Sequence, residues 1–215
     1  MAWVEQMQAV GARETLGCAL GAYALGCFAT GYYLVRARTG QDIREFESGS
    51  IGARNVSRLL GKTGFLITLL GDFGKGALAV WAVRHFSGSE LLTAVAMICV
   101  VAGHVWPITL QFHGGKGAAT SLGALLVYDP QLALAFVVCC LPGVLLLRKV
   151  TLPGMAAYVG LPAVSYWLHR DPVEATLLAV LSTLVVFAHR QNLLKEFPGW
   201  ITKRSLSAKP QPPEP

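Results

Sequence analysis

Charged side chains are scarce in this chain of 215 residues: 14% are Asp, Glu, Lys or Arg, whereas 53% are hydrophobic. A soluble globular domain usually carries about 25% charged residues, so this composition argues against one. The hydrophobic residues also occur in long blocks, which is typical of an integral membrane protein. The shortage of charge therefore directs attention to the few polar segments that remain.

Cysteine is rare as well, with five residues and no C-x-x-C spacing. All of them fall inside apolar segments: Cys18, Cys27, Cys99, Cys139 and Cys140. This pattern supports neither a zinc site nor a disulfide framework. Small buried packing residues are the simplest interpretation.

Seven apolar segments approach the roughly 20 residues that a helix needs to cross a bilayer. They are Leu16–Val35, Gly64–Val83, Leu91–Leu110, Gly117–Val127, Leu132–Leu147, Leu152–Leu168 and Val173–Ala188. The fourth is too short to cross untilted, so we expect it to be re-entrant or shielded by neighbouring helices, because exposed backbone is not tolerated in lipid. The chain is thus predicted to be an all-α integral membrane protein with about seven transmembrane helices.

Basic residues are concentrated on one side of this predicted topology. One set of connections carries fourteen Lys and Arg residues, whereas the other carries only Arg13, Arg84 and Arg170. The positive-inside rule then places the N-terminus outside and the C-terminus in the cytoplasm. Nucleic-acid binding is not expected, because no soluble basic domain carries the net charge of +6. Residues 1–196 are predicted to form one membrane domain, and 197–215 a disordered, Pro-rich cytoplasmic tail.

The first of three polar clusters on the predicted cytoplasmic face runs from Asp42 to Arg58, within a long connection at 36–62. It contains Ser48, Gly49 and Asn55. Hydroxyl groups, backbone N–H groups and arginine side chains all bind phosphate oxygens. A basic juxtamembrane segment that contacts anionic lipid headgroups is an equally good interpretation.

The second cluster is the glycine-rich segment Gly114-Gly115-Lys116-Gly117, which follows His104 and precedes a further apolar block. Glycine lets backbone N–H groups approach an anion closely, and lysine adds a positive charge. A tight turn between two spans is the alternative, but a turn requires neither the histidine nor a lysine among three glycines. The segment is not a Walker A loop, because glycine replaces the Ser or Thr that must follow the lysine.

The third cluster, His189-Arg190-Gln191-Asn192, lies at the end of the last apolar segment. Taken alone, it is explained by His and Arg matching the negative end of a helix dipole. Since all three clusters fall on one predicted face, we expect them to share a site. Asp72 and Lys75 lie inside the second apolar segment and are expected either to pair at i,i+3 or to join that site.

These clusters, in this order, resemble the motifs of the bacterial membrane glycerol-3-phosphate acyltransferases that use acyl phosphate, the PlsY family. The family pattern G-H-x-x-P-x-x-x-x-F-x-G-G-K-G-x-A-T is matched at every defined position from Gly103 to Thr120, H-R-x-N is matched from His189, and D-x-x-K-G from Asp72. The pattern G-S-G-N-x-G-A-T-N-x-x-R is matched in part. The departures are Glu47 for Gly, Ser50 for Asn, Arg54 for Thr and, in the second motif, His113 for a usual Lys.

The resemblance implies a multi-pass protein of the bacterial cytoplasmic (inner) membrane, with its active site facing the cytoplasm. It implies transfer of a fatty acyl group from acyl phosphate to a hydroxyl of glycerol-3-phosphate, giving lysophosphatidic acid and phosphate for phospholipid synthesis. No cofactor or metal is implied, and a soluble enzyme that produces acyl phosphate is an implied partner. Other glycerolipid acyltransferases carry an H-x-x-x-x-D element, which neither His104 nor His113 completes.

Two sets of site residues follow from the resemblance together with residue chemistry. The expected catalytic residues are His189, Asn192 and Ser48. The expected substrate-binding residues are Lys116, Gly114, Gly115, Gly117, Arg58, Gly49, Asn55 and His104. Either the imidazole of His189 or the acceptor's own phosphate would take the proton. An acyltransferase with another phosphorylated acceptor and a non-enzymatic carrier of phosphate or anionic lipid remain as alternatives.

Overall fold

A computed structural model of the chain describes residues 10–196, and the regular elements in that range are helices. The predicted tail at 197–215 lies outside the described residues. The α-helices are α1 (Ala12–Gly26), α2 (Thr30–Thr39), α3 (Ala53–Ser87), α4 (Glu90–Val105), α5 (Ala118–Tyr128), α6 (Pro130–Leu147), α7 (Thr151–His169), α8 (Pro172–Ala188) and α9 (Arg190–Glu196). Two short 3-10 turns, Ile43–Glu45 and Ile108–Leu110, lie in the connections.

The predicted apolar segments coincide with helices, so the all-α prediction is confirmed. Length and composition alone qualify four stretches as membrane spans: Ala12–Thr39, Ala53–Ser87, Glu90–Leu110 and Pro130–Leu147. The pair α8 and α9, bent by 60°, is a fifth candidate. Large apolar side chains are exposed on the outside of the bundle, including Leu146 at 83% and Trp167 at 68%, as expected of surfaces that face lipid. The count of seven crossings stays a prediction.

The connection predicted at 36–62 is shorter in the structure than the sequence indicated. Helix α2 continues to Thr39 and helix α3 already begins at Ala53, so the non-helical part spans 40–52 apart from its 3-10 turn. Helix α3 then kinks at Gly61, whose φ of 62° and ψ of −157° are accessible mainly to glycine. Two residues of the first cluster, Asn55 and Arg58, consequently lie on a helix rather than in a loop.

Helix α5 has only 11 residues and follows the glycine-rich segment directly. At about 1.5 Å per residue it reaches roughly half of the hydrocarbon thickness. Its backbone lies against α3: a side chain at Gly76 would overlap the carbonyl oxygen of Thr120, and one at Gly123 would overlap that of Phe73. The neighbouring helices therefore shield this short helix, as one of the two sequence interpretations required.

A small second core holds the 40–52 connection in place on the side of the molecule that carries the three clusters. Ile43 and Ile51 are 0% and 1% exposed, and they pack with Val35, Val56 and Leu110. Two isoleucines buried in a connection of this length fix its course. The turn that carries Ser48 and Gly49 is thus supported from below by apolar packing.

Candidate active site

The segment Gly114–Gly117 is fastened to the end of helix α4. The N–H of Gly114 donates to the carbonyl of Val105 (3.2 Å), and that of Gly115 donates to the carbonyl of His104 (3.0 Å). Side chains at either glycine would overlap the atoms of His104. These two glycines therefore permit close packing, and their amides, which the sequence assigned to phosphate, are already engaged. Gly117 begins α5 with a φ of 84°, in the left-handed region that favours glycine.

The side chain of Lys116 joins the second cluster to the third. Its Nζ donates to Oδ1 of Asn192 over 2.6 Å. Burial lowers the pKa of Lys116, and the nearby charges of Lys195, Arg54 and Arg58 lower it further. Within residues 10–196, no carboxylate pairs with this ammonium. A half-buried cation surrounded by cations is electrostatically suited to an anionic ligand.

Asn192 reaches Lys116 because the chain bends where α8 ends at His189. Since an ammonium group only donates hydrogen bonds, the amide oxygen of Asn192 must face Lys116. Its NH₂ group is thereby turned away from the lysine and left able to donate. The arrangement provides one fixed donor beside one cation.

The imidazole of His189 is buried, with 8% of the residue exposed. Its Nδ1 lies 2.8 Å from the carbonyl oxygen of Val185. A carbonyl only accepts, so Nδ1 carries the proton and the lone pair of the neutral ring lies on Nε2. Burial lowers the pKa of His189, the bond to Val185 opposes that shift, and the charges of Lys116 and Arg54 reinforce it. The ring is therefore neutral at neutral pH and able to accept a proton.

The turn with Ser48 is formed by residues 46–49, where the N–H of Gly49 donates to the carbonyl of Phe46 (2.9 Å). Gly49 has a φ of 65°, and Glu47, which stands where the PlsY pattern has glycine, has a φ of 48°. Ser48 is exposed between them. Arg58 is exposed as well and is held by Glu47, with 3.0 Å between Nη1 and Oε2.

Asn55 lies beneath this turn and not at the surface. It is 3% exposed, and its Nδ2 donates to the carbonyls of Ile43 (3.2 Å) and Phe46 (3.0 Å). Both of its donors are thus used to support the turn. The structure gives Asn55 a bracing position rather than the substrate contact that the sequence suggested.

Arg44 makes a contact that the sequence reasoning missed. It pairs with Asp42 over 2.6 Å and donates to the carbonyl of Leu110 over 3.1 Å, while its guanidinium lies 5.3 Å from the centre of the Tyr32 ring. The side chain therefore links the connection of the first cluster to the turn before the second. The one sequence signal of this role was the acidic residue Asp42, two positions before Arg44.

Arg54 places a further cation in the site. It lies in the first turn of α3, and its Nη1 is 3.3 Å from Oγ1 of Thr151, the first residue of α7. Its charge acts on both Lys116 and His189. One hydrogen bond thus joins the second and third clusters, and Arg54 and Arg58 bring the charge of the first cluster to Lys116.

His104 lies behind the glycine-rich segment. It is 4% exposed and its Nδ1 is 2.8 Å from Nζ of Lys75, which in turn lies 3.2 Å from Oδ1 of Asp72. The i,i+3 pairing of Asp72 with Lys75 that the sequence allowed is confirmed. All three groups are buried behind the segment that carries Lys116.

Comparison with known proteins gives sequence relatives of one kind. The family model described as Glycerol-3-phosphate acyltransferase matches residues 16–199. The chain is 46% identical over 174 residues to Glycerol-3-phosphate acyltransferase 1 of Desulfitobacterium hafniense, covering 81% of this chain and 86% of that protein. It is 36% identical over 196 residues to the glycerol-3-phosphate acyltransferase of Clostridioides difficile, covering 89% and 95%.

Solved structures show the same fold. The crystal structure of PlsY, an integral membrane glycerol 3-phosphate acyltransferase, in its glycerol 3-phosphate form superposes with a TM-score of 0.77 at 29% identity, covering 88% of this chain and 93% of PlsY. The lysophosphatidic acid form gives 0.74 at 27% identity, with the same coverage. The resemblance drawn from the motifs is confirmed.

Proposed function

Because this chain belongs to the glycerol-3-phosphate acyltransferase family, we propose that it transfers a fatty acyl group from acyl phosphate to a hydroxyl of glycerol-3-phosphate. The products are lysophosphatidic acid and inorganic phosphate. The observation that supports this most directly is the ammonium of Lys116, which pairs with no carboxylate among residues 10–196 and is half-buried among other cations beside Asn192 and His189. Two phosphorylated substrates require such a site.

In the proposed reaction, the acceptor hydroxyl attacks the acyl carbonyl, an ester C–O bond forms, and the C–O bond to phosphate breaks. Nε2 of His189 accepts the hydroxyl proton, because its lone pair is free while Nδ1 donates to Val185. The acceptor's phosphate is the competing base. Phosphate is a good leaving group, so no covalent enzyme intermediate is needed.

Asn192 and Lys116 act on the charge that develops in this step. The amide NH₂ of Asn192, oriented by Lys116, donates to the carbonyl oxygen as it becomes negative. Lys116 and Arg54 bind phosphoryl oxygens, while Ser48 contacts the acceptor from the turn at 46–49 and Arg58 contacts it from α3. Gly117 and Gly49 have φ values of 84° and 65°, so they form the turns of both segments without strain.

The site is proposed to face the cytoplasm of a bacterial cell, with the N-terminus outside. The support is the distribution of basic residues, which places Arg54, Arg58 and Lys116 on the positive side. A soluble enzyme could then deliver acyl phosphate, and the product would enter the inner leaflet directly.

A donor and acceptor panel tests the function. Detergent-purified protein is incubated with palmitoyl phosphate plus glycerol-3-phosphate, and released phosphate and lipid product are measured together. We expect both products with this pair, and neither when glycerol replaces glycerol-3-phosphate, since glycerol lacks the anion that the cations bind. Folded protein that yields no lipid with the first pair would overturn the proposal, and equal rates with glycerol would overturn the phosphate-binding role of the site.

A further inference from the structure

Three buried ionisable side chains lie directly behind the proposed phosphate site. Asp72, Lys75 and His104 are 3%, 5% and 4% exposed. Charged groups inside an apolar bundle are costly and persist only where they are paired or have a role. Pairing alone does not explain the histidine, because Asp72 and Lys75 on α3 already form an ion pair.

Lys75 uses its donors to join two parts of the molecule. Its Nζ donates to the carbonyls of Gly26 (3.1 Å) and Phe28 (2.6 Å), where the chain is non-helical between α1 and α2. The third donor points to Nδ1 of His104 on α4, at 2.8 Å. All three N–H groups of the ammonium are accounted for, so Lys75 has none left for a substrate.

The contact with Lys75 sets the orientation of the His104 ring. Because an ammonium only donates, Nδ1 of His104 accepts and the ring proton lies on Nε2. The Nε2 edge faces Gly115 so closely that a side chain at that position would overlap it. The same histidine also accepts the N–H of Gly115 through its carbonyl oxygen, at 3.0 Å.

We propose that Asp72, Lys75 and His104 are a positioning unit for the phosphate site. His104 holds Gly115, which directly precedes Lys116, by one backbone hydrogen bond and by its ring, and Lys75 with Asp72 holds the ring. His104 acts on the substrate through this segment and does not touch it. The change in KM that this inference predicts rests on the proposed function, whereas the predicted change in hydrogen exchange does not.

His104→Asn tests the unit. The shorter amide places an acceptor near the position of Nδ1, so Lys75 keeps a partner, but the ring edge against Gly115 is lost. We expect the variant to fold, hydrogen exchange of the amides at 114–116 to accelerate about fivefold or more, and KM for glycerol-3-phosphate to rise about tenfold or more, because small displacements of a binding group are costly. A second variant, with Asp72→Asn, Lys75→Met and His104→Asn together, removes the ionisable groups of the unit along with the ring and should show the same pattern.

His169→Gln is the matched control. His169 pairs with Glu174 (2.8 Å) and Asp129 (3.4 Å) at the ends of α6–α8 that lie away from the site. The variant therefore breaks a comparable network that is remote from the site. We expect its thermal midpoint to fall without any change in KM or in exchange at 114–116. Unchanged exchange and unchanged KM in folded His104→Asn protein would overturn the inference. An inactive wild-type protein would instead contradict the proposed function, and the exchange result would still decide the inference.

Discussion

Lys116 is the residue on which the proposed phosphate site depends most. Removing its charge by Lys116→Ala should raise KM for glycerol-3-phosphate roughly 10- to 100-fold, because a hydrogen bond to a charged group is worth about 1.5–3 kcal/mol. Lys62→Ala is the matched control, since Lys62 is an exposed lysine on the same predicted face. Steady-state kinetics of both variants check the prediction. Equal KM values in the two would rule out a phosphate contact by Lys116.

The buried position of His189 predicts a distinct pH dependence. With the neutral ring as the proposed base, we expect kcat/KM to be retained above its pKa and lost as the pH falls through it. Since burial lowers that pKa from 6.5, the midpoint of the loss should lie below 6.5. His189→Gln should lower kcat by about 100-fold or more and abolish this limb of the profile. If the limb persists unchanged, it belongs to the acceptor phosphate, and the phosphate is the base.

Glu47 stands where the family pattern has glycine, and this departure has physical consequences. Its φ of 48° is strained for a residue with a side chain, and its carboxylate holds Arg58. Glu47→Gly should therefore stabilise the protein by about 0.5–1 kcal/mol and lower KM for glycerol-3-phosphate up to about fivefold, the strength of an exposed ion pair. Glu45→Gly, two residues earlier at a position without a positive φ, should only destabilise. A higher KM for glycerol-3-phosphate in Glu47→Gly would show that Arg58 must be paired with Glu47 to contribute to acceptor binding.

Among the helices, the crossing of α3 and α5 depends on glycine at position 76 but not at position 74. Gly76→Ala would overlap the backbone of Thr120, so we expect little folded protein. Gly74→Ala meets nothing within 4 Å and should stabilise α3 by up to about 1 kcal/mol through helix propensity. Monodisperse yield and thermal midpoint in detergent compare the two. A well-folded Gly76→Ala variant would contradict the close approach.

The long helices were predictable from the sequence because their apolar blocks are long. The short helix α5 was predictable because its apolar block is short. The break between α1 and α2 was not predictable, since the lysine that satisfies its carbonyls lies more than forty residues further along the chain. The kink at Gly61 was missed for a similar reason, because an isolated glycine inside a helical pattern does not fix a direction.

The site was predictable as a set of residue types, but not as a set of contacts. Three motifs on one face indicated a shared anion site, and the bond between Lys116 and Asn192 joins two of them. The inward positions of Asn55 and His104 could not be predicted. The sequence pattern of a polar residue near a motif is the same whether the residue contacts a substrate or supports the segment that does. Only the long-range packing distinguishes these roles.

At the scale of the whole molecule, the charge distribution predicts how the chain lies in the membrane. A fluorescent reporter that matures only in the cytoplasm, fused to the C-terminus, should fluoresce, and an alkaline phosphatase reporter at the same position should be inactive. The reverse pattern would place the lysine-bearing site outside the cell and contradict the proposed source of acyl phosphate.

We propose that one site on this chain joins a phosphorylated acceptor to an acyl phosphate. The most direct measurement is product stoichiometry in a single incubation of the purified protein with palmitoyl phosphate and glycerol-3-phosphate. Lysophosphatidic acid is quantified by mass spectrometry and inorganic phosphate by colorimetry. We predict equal amounts of the two products, with both strongly reduced in Lys116→Ala. Phosphate release without lysophosphatidic acid, from protein shown to be folded, would contradict acyl transfer at this site.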